Sequence, residues 1–168
     1  MRLEALYADC ARPVWRYVRP RTGSREAAED VLMEVFVIAC RRLDVIPTGA
    51  ELPWLLGCAR RVLANQRRGE RRAHALGERL RESARFAEVE PEEGDVIVAA
   101  LEQVSDRDRE VLLLSVWDEL SPSELGVVLG CSRAAAAVRL HRARRRFAAA
   151  YARAQGGQVP DRRTEVAR

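Results

Sequence analysis

The stretch from Leu120 to Arg133, "LSPSELGVVLGCSR", leaves its backbone few options. Ser121 carries the side chain of a helix N-cap, Pro122 occupies the first helical position where no N–H is needed, and Glu124 stands where a capping box closes. Leu125, Val128 and Leu129 recur at helical spacing, and Gly130 suits the left-handed position that ends a helix. Ser132 can then cap a further helix running into "RLHRARRR". A short helix, a glycine-containing turn and a basic helix make a helix-turn-helix, whose second helix enters the major groove of DNA.

Within that second helix Ala136, Leu140, Ala143 and Phe147 recur at i, i+4, i+7 and i+11, so they face a core. At about 100° per residue the opposite side carries Ala134, Val138, His141, Arg142 and Arg145. Arg133 and Arg144 flank that face on one side, Arg139 and Arg146 on the other. A solvated surface helix would carry the same arginines; the capped helix and turn before them favour nucleic acid. Ala134 to Ala137 supply no polar group, which leaves His141 and Arg142, apolar contact of Ala137 or Val138 with a thymine methyl, or DNA shape to provide specificity.

The periodicity is helical almost throughout, and this predicts an all-α fold of two small helical domains. Ser24 can cap a helix with Val31, Leu32, Val35, Phe36, Ala39 and Leu43 on its packed stripe and Glu29, Asp30, Glu34 and Arg41 off it. The loop "DVIPTGAELP" precedes a helix through Trp54, Leu55, Cys58, Val62 and Leu63. An earlier segment with Leu3, Leu6, Tyr7, Val14, Trp15 and Val18 completes a bundle over residues 1–72. The acidic run "AEVEPEEGD" reads as part of a flexible linker, 73–95. A second domain spans 96–153, where Ser105 with Asp108 makes a capping-box variant opening a helix through Val111, Leu112 and Val116. The polar, Gly-rich tail 154–168 reads as disordered.

All 29 basic residues are arginine, against 25 acidic ones, for a net charge of +4. Arginine matches phosphate and the guanine edge bidentately, though a GC-rich genome would also replace lysine wholesale. The helix "ARRVLANQRRGERR" places Arg60, Arg61, Arg67, Arg68, Arg71 and Arg72 as a surface tracking phosphates would, or as an ordinary solvated face. Trp54 at its start reads as core rather than as a base-stacking platform. No apolar run approaches the roughly 18 residues of a membrane span and no signal peptide opens the chain, so a cytoplasmic protein is expected, with no membrane partner. Cys10, Cys40, Cys58 and Cys131 are scattered without a Cys-x-x-Cys pair, which points to partly buried thiols rather than a metal site or disulfides. The sequence offers no nucleophile–base pair, Gly-rich phosphate loop or metal cluster, so no catalytic residue and no cofactor is expected.

"AAEDVLMEVFVIACRRLD", then a loop, then "WLLGCARRVLANQRR" resembles region 2 of the extracytoplasmic-function sigma factors of the sigma-70 family. "LEQVSDRDREVLLLSVWDELSPSELGVVLGCSRAAAAVRLHRARRRF" resembles their region 4, and the order and the acidic linker also match. The resemblance implies a dissociable subunit that binds RNA polymerase core and directs it to promoters. It implies that Asp30, Glu34, Val35 and Phe36 meet the polymerase, with Met33 where a glutamine is usual; burial in the bundle explains Val35 and Phe36 equally well. It implies that the loop Asp44–Leu52, a pocket for a flipped base near it, and Arg60, Arg61, Asn65, Arg67 and Arg68 capture the melted −10 strand, with Arg61 replacing a common asparagine. For the duplex −35 element it implies contacts from Ala137, Val138, His141 and Arg142, with Arg133, Arg139, Arg144 and Arg145 beside them. Ser105 stands for a usual proline, Ala135–Ala136 for Thr-Val, and Glu119 for a turn glycine, where positive φ disfavours a side chain. An anti-sigma partner is also implied. The alternatives are a helix-turn-helix regulator that does not engage polymerase and, more distantly, a redox or hydrolytic enzyme.

Overall fold

Serine caps start four of the helices. Ser24 Oγ accepts from the Ala27 N–H at 3.1 Å, Ser105 from Asp108 at 3.2 Å, Ser121 from Glu124 at 3.4 Å and Ser132 from Ala135 at 3.2 Å. Each satisfies one of the N–H groups that a helix start leaves without an internal partner. The computed structural model describes residues 2–74 and 94–156. Among them are seven α-helices: α1 (Arg2–Val18), α2 (Arg25–Arg41), α3 (Glu51–His74), α4 (Gly94–Gln103), α5 (Asp106–Val116), α6 (Pro122–Leu129) and α7 (Arg133–Gly156). Two 3₁₀ turns, Arg19–Arg21 and Leu43–Val45, complete the described regular structure, which contains no strand. The all-α class expected from periodicity is the one observed. The side chains of Arg71 and Arg72, most of the linker 73–95 and most of the tail 154–168 lie outside the described residues.

Two compact units form, and they do not follow chain order: α1, α2, α3, α6 and the first residues of α7 make one, and α4, α5 and the rest of α7 the other. In the first unit Leu6, Val14 and Val18 of α1 pack with Val31, Val35, Phe36 and Ala39 of α2 and with Leu55, Leu56, Ala59, Val62 and Leu63 of α3, all buried. Tyr7 closes over Phe36 with ring centroids 4.7 Å apart, in a tilted pairing. From Pro53 to Ala59, α3 carries no charged side chain and is buried around most of its circumference. A helix that is apolar all round needs neighbours on every side. Two sides face α1 and α2, and α6 covers a third, close enough that a Cβ on Gly57 would sit 3.5 Å from Val128 Cα.

Several local expectations shift. Helix α3 begins at Glu51 rather than beyond Pro53, because a proline in the first turn removes only an N–H without a helical partner. Leu43, read as the end of the α2 stripe, falls in the following 3₁₀ turn. Val116, read as packed, is 64% exposed. The Ser105 and Asp108 capping box is half formed. Ser105 caps, but its hydroxyl also donates to Asp108 Oδ2 at 2.8 Å, and that carboxylate turns toward Arg146 instead of reaching back to the Ser105 N–H.

In the second unit Ala100, Val104, Leu112, Ala143 and Ala150 form the core, with Leu101, Phe147 and Tyr151 packed against it. Arg109 finishes α4 by donating to the carbonyls of Leu101 at 2.8 Å, Glu102 at 3.3 Å and Val104 at 3.4 Å. These are carbonyls that the end of a helix leaves without an internal donor.

Candidate nucleic-acid interface

The turn between α6 and α7 closes as its residues require. The capping box is complete at both ends, with Ser121 N–H donating to Glu124 Oε2 at 2.8 Å. Those bonds from Ser121 hold the Glu124 carboxyl below its ordinary pKa. Gly130 is left-handed at φ 65, the Cys131 N–H donates to the Gly126 carbonyl at 2.9 Å, and the Gly130 N–H to that of Val127 at 3.4 Å. This is a Schellman ending, which hands the chain to Ser132 and α7. Gly126 has no room for a side chain: a Cβ there would lie 2.8 Å from the Cys131 carbonyl oxygen.

Helix α7 turns the expected stripe inward. Ala136, Leu140 and Ala143 are buried and Phe147 is partly so, while Ala134, Val138, His141, Arg142 and Arg145 are exposed together on the far side. Arg133 and Arg139 are exposed beside them and Ala137 is half-buried. Arg144, expected beside the −35 contacts, is exposed, and its Nη2 donates to Ser115 Oγ of α5 at 3.3 Å. Arg146 is likewise committed, through Nη1, to both Asp108 oxygens at 2.8 and 3.1 Å.

Helix α3 presents its arginines in two adjacent rows. Arg61, Asn65 and Arg68 fall at i, i+4 and i+7, and Arg60 and Arg67 at i and i+7 in the neighbouring row. All are exposed except Arg60, which is half-buried. Arg68 donates to the Asn65 side chain, and Arg61 Nη2 lies 3.4 Å from Cys58 Sγ, so these rows are partly organised by contacts along the helix itself. Burial pushes the Cys58 thiol up in pKa, against the lowering effect of Arg61, and pushes the Cys10 thiol up as well. Both are therefore poor nucleophiles at neutral pH. Cys131 is half-buried, so Cys10, Cys58 and Cys131 fit the expectation of partly buried thiols, and the exposed Cys40 departs from it. The loop before α3 keeps Asp44, Val45, Pro47, Thr48 and Gly49 exposed while Ile46 is buried beneath it.

On α2 the four residues implied for polymerase contact separate. Asp30 and Glu34 are exposed, but Val35 and Phe36 are buried in the bundle at 0% and 6% exposure. The apolar side chains beside the two acids are instead Met33 and Val37, at 57% and 43% exposure. Asp30, Met33, Glu34 and Val37 follow an i, i+3, i+4, i+7 row, a signal present in the sequence but overshadowed by the stronger packed stripe beside it that holds Val35 and Phe36.

Among the described residues no group of His, Cys, Asp and Glu has the arrangement to hold a metal ion, and no helix is long and apolar enough to cross a membrane. Residues 6–73 match the family model "Sigma-70 region 2" and residues 95–147 match "Sigma-70, region 4". The chain is 30% identical over 147 residues to the ECF RNA polymerase sigma factor SigL of Mycobacterium tuberculosis, covering 83% of this chain and 82% of that one. It is 25% identical over 158 residues to the ECF RNA polymerase sigma factor SigM of Bacillus subtilis, covering 91% and 97%. In fold it resembles the sigma factor RpoE of Bartonella quintana, solved with the anti-sigma factor NepR, at a TM-score of 0.65 and 19% identity over 88% of this chain and 94% of that one. The chain belongs to the extracytoplasmic-function sigma factors of the sigma-70 family, the subunits that bind RNA polymerase core and direct transcription initiation to promoters.

Proposed function

We propose that three exposed surfaces divide this work, residues 1–72 serving polymerase and the −10 element, 96–153 serving the −35 element, and 73–95 joining them. The α2 row of Asp30, Met33, Glu34 and Val37 docks on the polymerase, its two acids bordering an apolar pair that a partner helix can cover. Along α3, Arg60, Arg61, Asn65, Arg67 and Arg68 follow the backbone of the melted −10 strand over about 12 Å of helix. The α7 face of Val138, His141, Arg142 and Arg145 enters the −35 major groove, with Ala137 at its edge and Arg133 and Arg139 toward phosphates. The observation that carries the reading is the α7 wheel: the packed stripe is turned inward behind a closed turn, and the basic side is left to solvent.

Melting draws on binding free energy, so this reading assigns no catalytic residue and no cofactor, and it places the protein in the cytoplasm with the chromosome. An anti-sigma partner, such as RpoE has in NepR, completes it. The test is transcription in vitro from a library of upstream sequences by polymerase core with and without the chain. Promoter-specific transcripts that need the chain support the reading. Duplex binding by the chain alone, with no effect on core, would instead favour a regulator independent of polymerase.

A further inference from the structure

Asp108 is the one buried charged residue among those described, 9% exposed, and nothing in promoter recognition as outlined above uses it. Its carboxylate accepts from Ser105 Oγ at 2.8 Å and from Arg146 Nη1 at 2.8 and 3.1 Å. Burial alone would raise its pKa; the bonds from Arg146 and Ser105 and the Arg146 charge overcome this and lower it, so the carboxylate is ionised at neutral pH. Seven residues along α5, Ser115 accepts from Arg144 at 3.3 Å. On the α7 wheel, Arg144 and Arg146 lie about 80° to either side of the stripe Ala136, Leu140, Ala143, Phe147 and Ala150. One helix thus holds the other by both flanks. Burial of that stripe is non-directional as a driving force, whereas the two polar contacts on its flanks each fix a direction.

We infer that Asp108 and Ser115 are positioning residues for promoter discrimination. Through Arg146 and Arg144 they set the rotation of α7 about its axis, and with it the direction in which His141 and Arg142 approach the bases, while touching no DNA themselves. This rests on the reading of α7 as the −35 helix. Base readout depends on angle; phosphate attraction depends little on it. Loss of the clasp therefore lowers discrimination between sequences and leaves general DNA affinity in place.

The test uses the holoenzyme with two duplexes: the −35 sequence selected from a random library by the wild-type holoenzyme, and a scrambled duplex of equal length. Asp108→Asn keeps shape and frees a cation, so affinity for the scrambled duplex holds or rises while the selected-to-scrambled ratio falls roughly tenfold. Arg146→Gln lowers the ratio similarly. Arg146→Lys retains most of it, since a single nitrogen makes both bonds to Asp108. Arg153→Gln, at the far end of α7 where Arg153 donates to Gln103 at 3.3 Å, leaves the ratio unchanged. An unchanged ratio in Asp108→Asn, or equal loss on both duplexes, overturns the inference. Failure of the wild-type holoenzyme to select any −35 sequence overturns the underlying reading as well, and is seen before any variant is made.

Discussion

Replacing Gly126 by alanine tests how tightly the helix-turn-helix is built. In an ordinary helix the change stabilises by about 1 kcal/mol, through lower backbone entropy in the unfolded chain. Here the new methyl would meet the Cys131 carbonyl oxygen at 2.8 Å, with the Arg133 nitrogen and the Ser132 carbonyl carbon at 3.4 Å. These are backbone atoms, so the turn itself must move. Overpacking of this kind costs roughly 1–3 kcal/mol. Moving Cys131 also strains its 2.9 Å bond to the Gly126 carbonyl, and such a bond is worth about 0.5–1.5 kcal/mol. Set against the helix gain, a net loss of roughly 0.5–3.5 kcal/mol follows, a factor of about 2 to 400 in the local opening equilibrium. Hydrogen exchange at the Cys131 amide reads that opening directly, and should quicken by the same factor. Gly57→Ala is the control. Its Cβ would find Val127 and Val128 backbone atoms at 3.5 Å, ordinary contact distance, so a gain of about 0.5–1 kcal/mol is expected. Unchanged or slower exchange at Cys131 in Gly126→Ala would refute the reasoning.

Four further outcomes follow. Glu119 is the only described non-glycine residue with positive φ, at 53°, and Glu119→Gly should raise stability to urea by roughly 0.5–1 kcal/mol as left-handed strain is relieved. Bonds from Ser121 lower the Glu124 pKa, so the ionised cap contributes fully above the unfolded value of about 4.3 and is lost as pH falls through the folded one; the gap in urea midpoint between wild type and Glu124→Gln should narrow as pH drops from about 6 toward 3. Met33→Asp should weaken binding to polymerase core roughly tenfold with stability within about 0.5 kcal/mol of wild type, whereas Val35→Ala, at 0% exposure, should lose stability by about 1–2.5 kcal/mol. Arg142→Ala should cost about 1–3 kcal/mol of −35 binding and Ala137→Ser far less; comparable losses in a duplex-binding titration would mean that α7 docks by another face.

Where a signal was local, it was legible in the residues. Ser24, Ser121 with Glu124, Ser132 and Gly130 each mark a helix end by a bond reaching only a few residues, and all four are found at the ends they mark. The α7 stripe was readable because helical period alone sets which residues share a side. Choices settled by a distant partner were not. Asp108 looked like the second half of a cap because Ser105 is three residues away; a buried carboxylate takes the cation at Arg146 in preference to one N–H. Nothing near Arg144 in the sequence points to its bond with Ser115, 29 residues away. Val35 and Phe36 could not be told from Met33 and Val37 without knowing how α2 is rotated in the bundle. Nor does spacing within α6 reveal that its packed face meets α3, because several apolar surfaces would serve it equally well.

The central claim is that the exposed basic side of α7 reads the −35 element when the chain is bound to polymerase core. Its most direct measurement is the sequence content of transcripts initiated by core plus this chain on a randomised upstream library, compared with core plus Arg142→Ala. The wild type should enrich a −10 and a −35 element, and the variant should lose information at −35 while keeping −10. Enrichment of the same −35 element by Arg142→Ala and by wild type, or of none by wild type, would contradict the account.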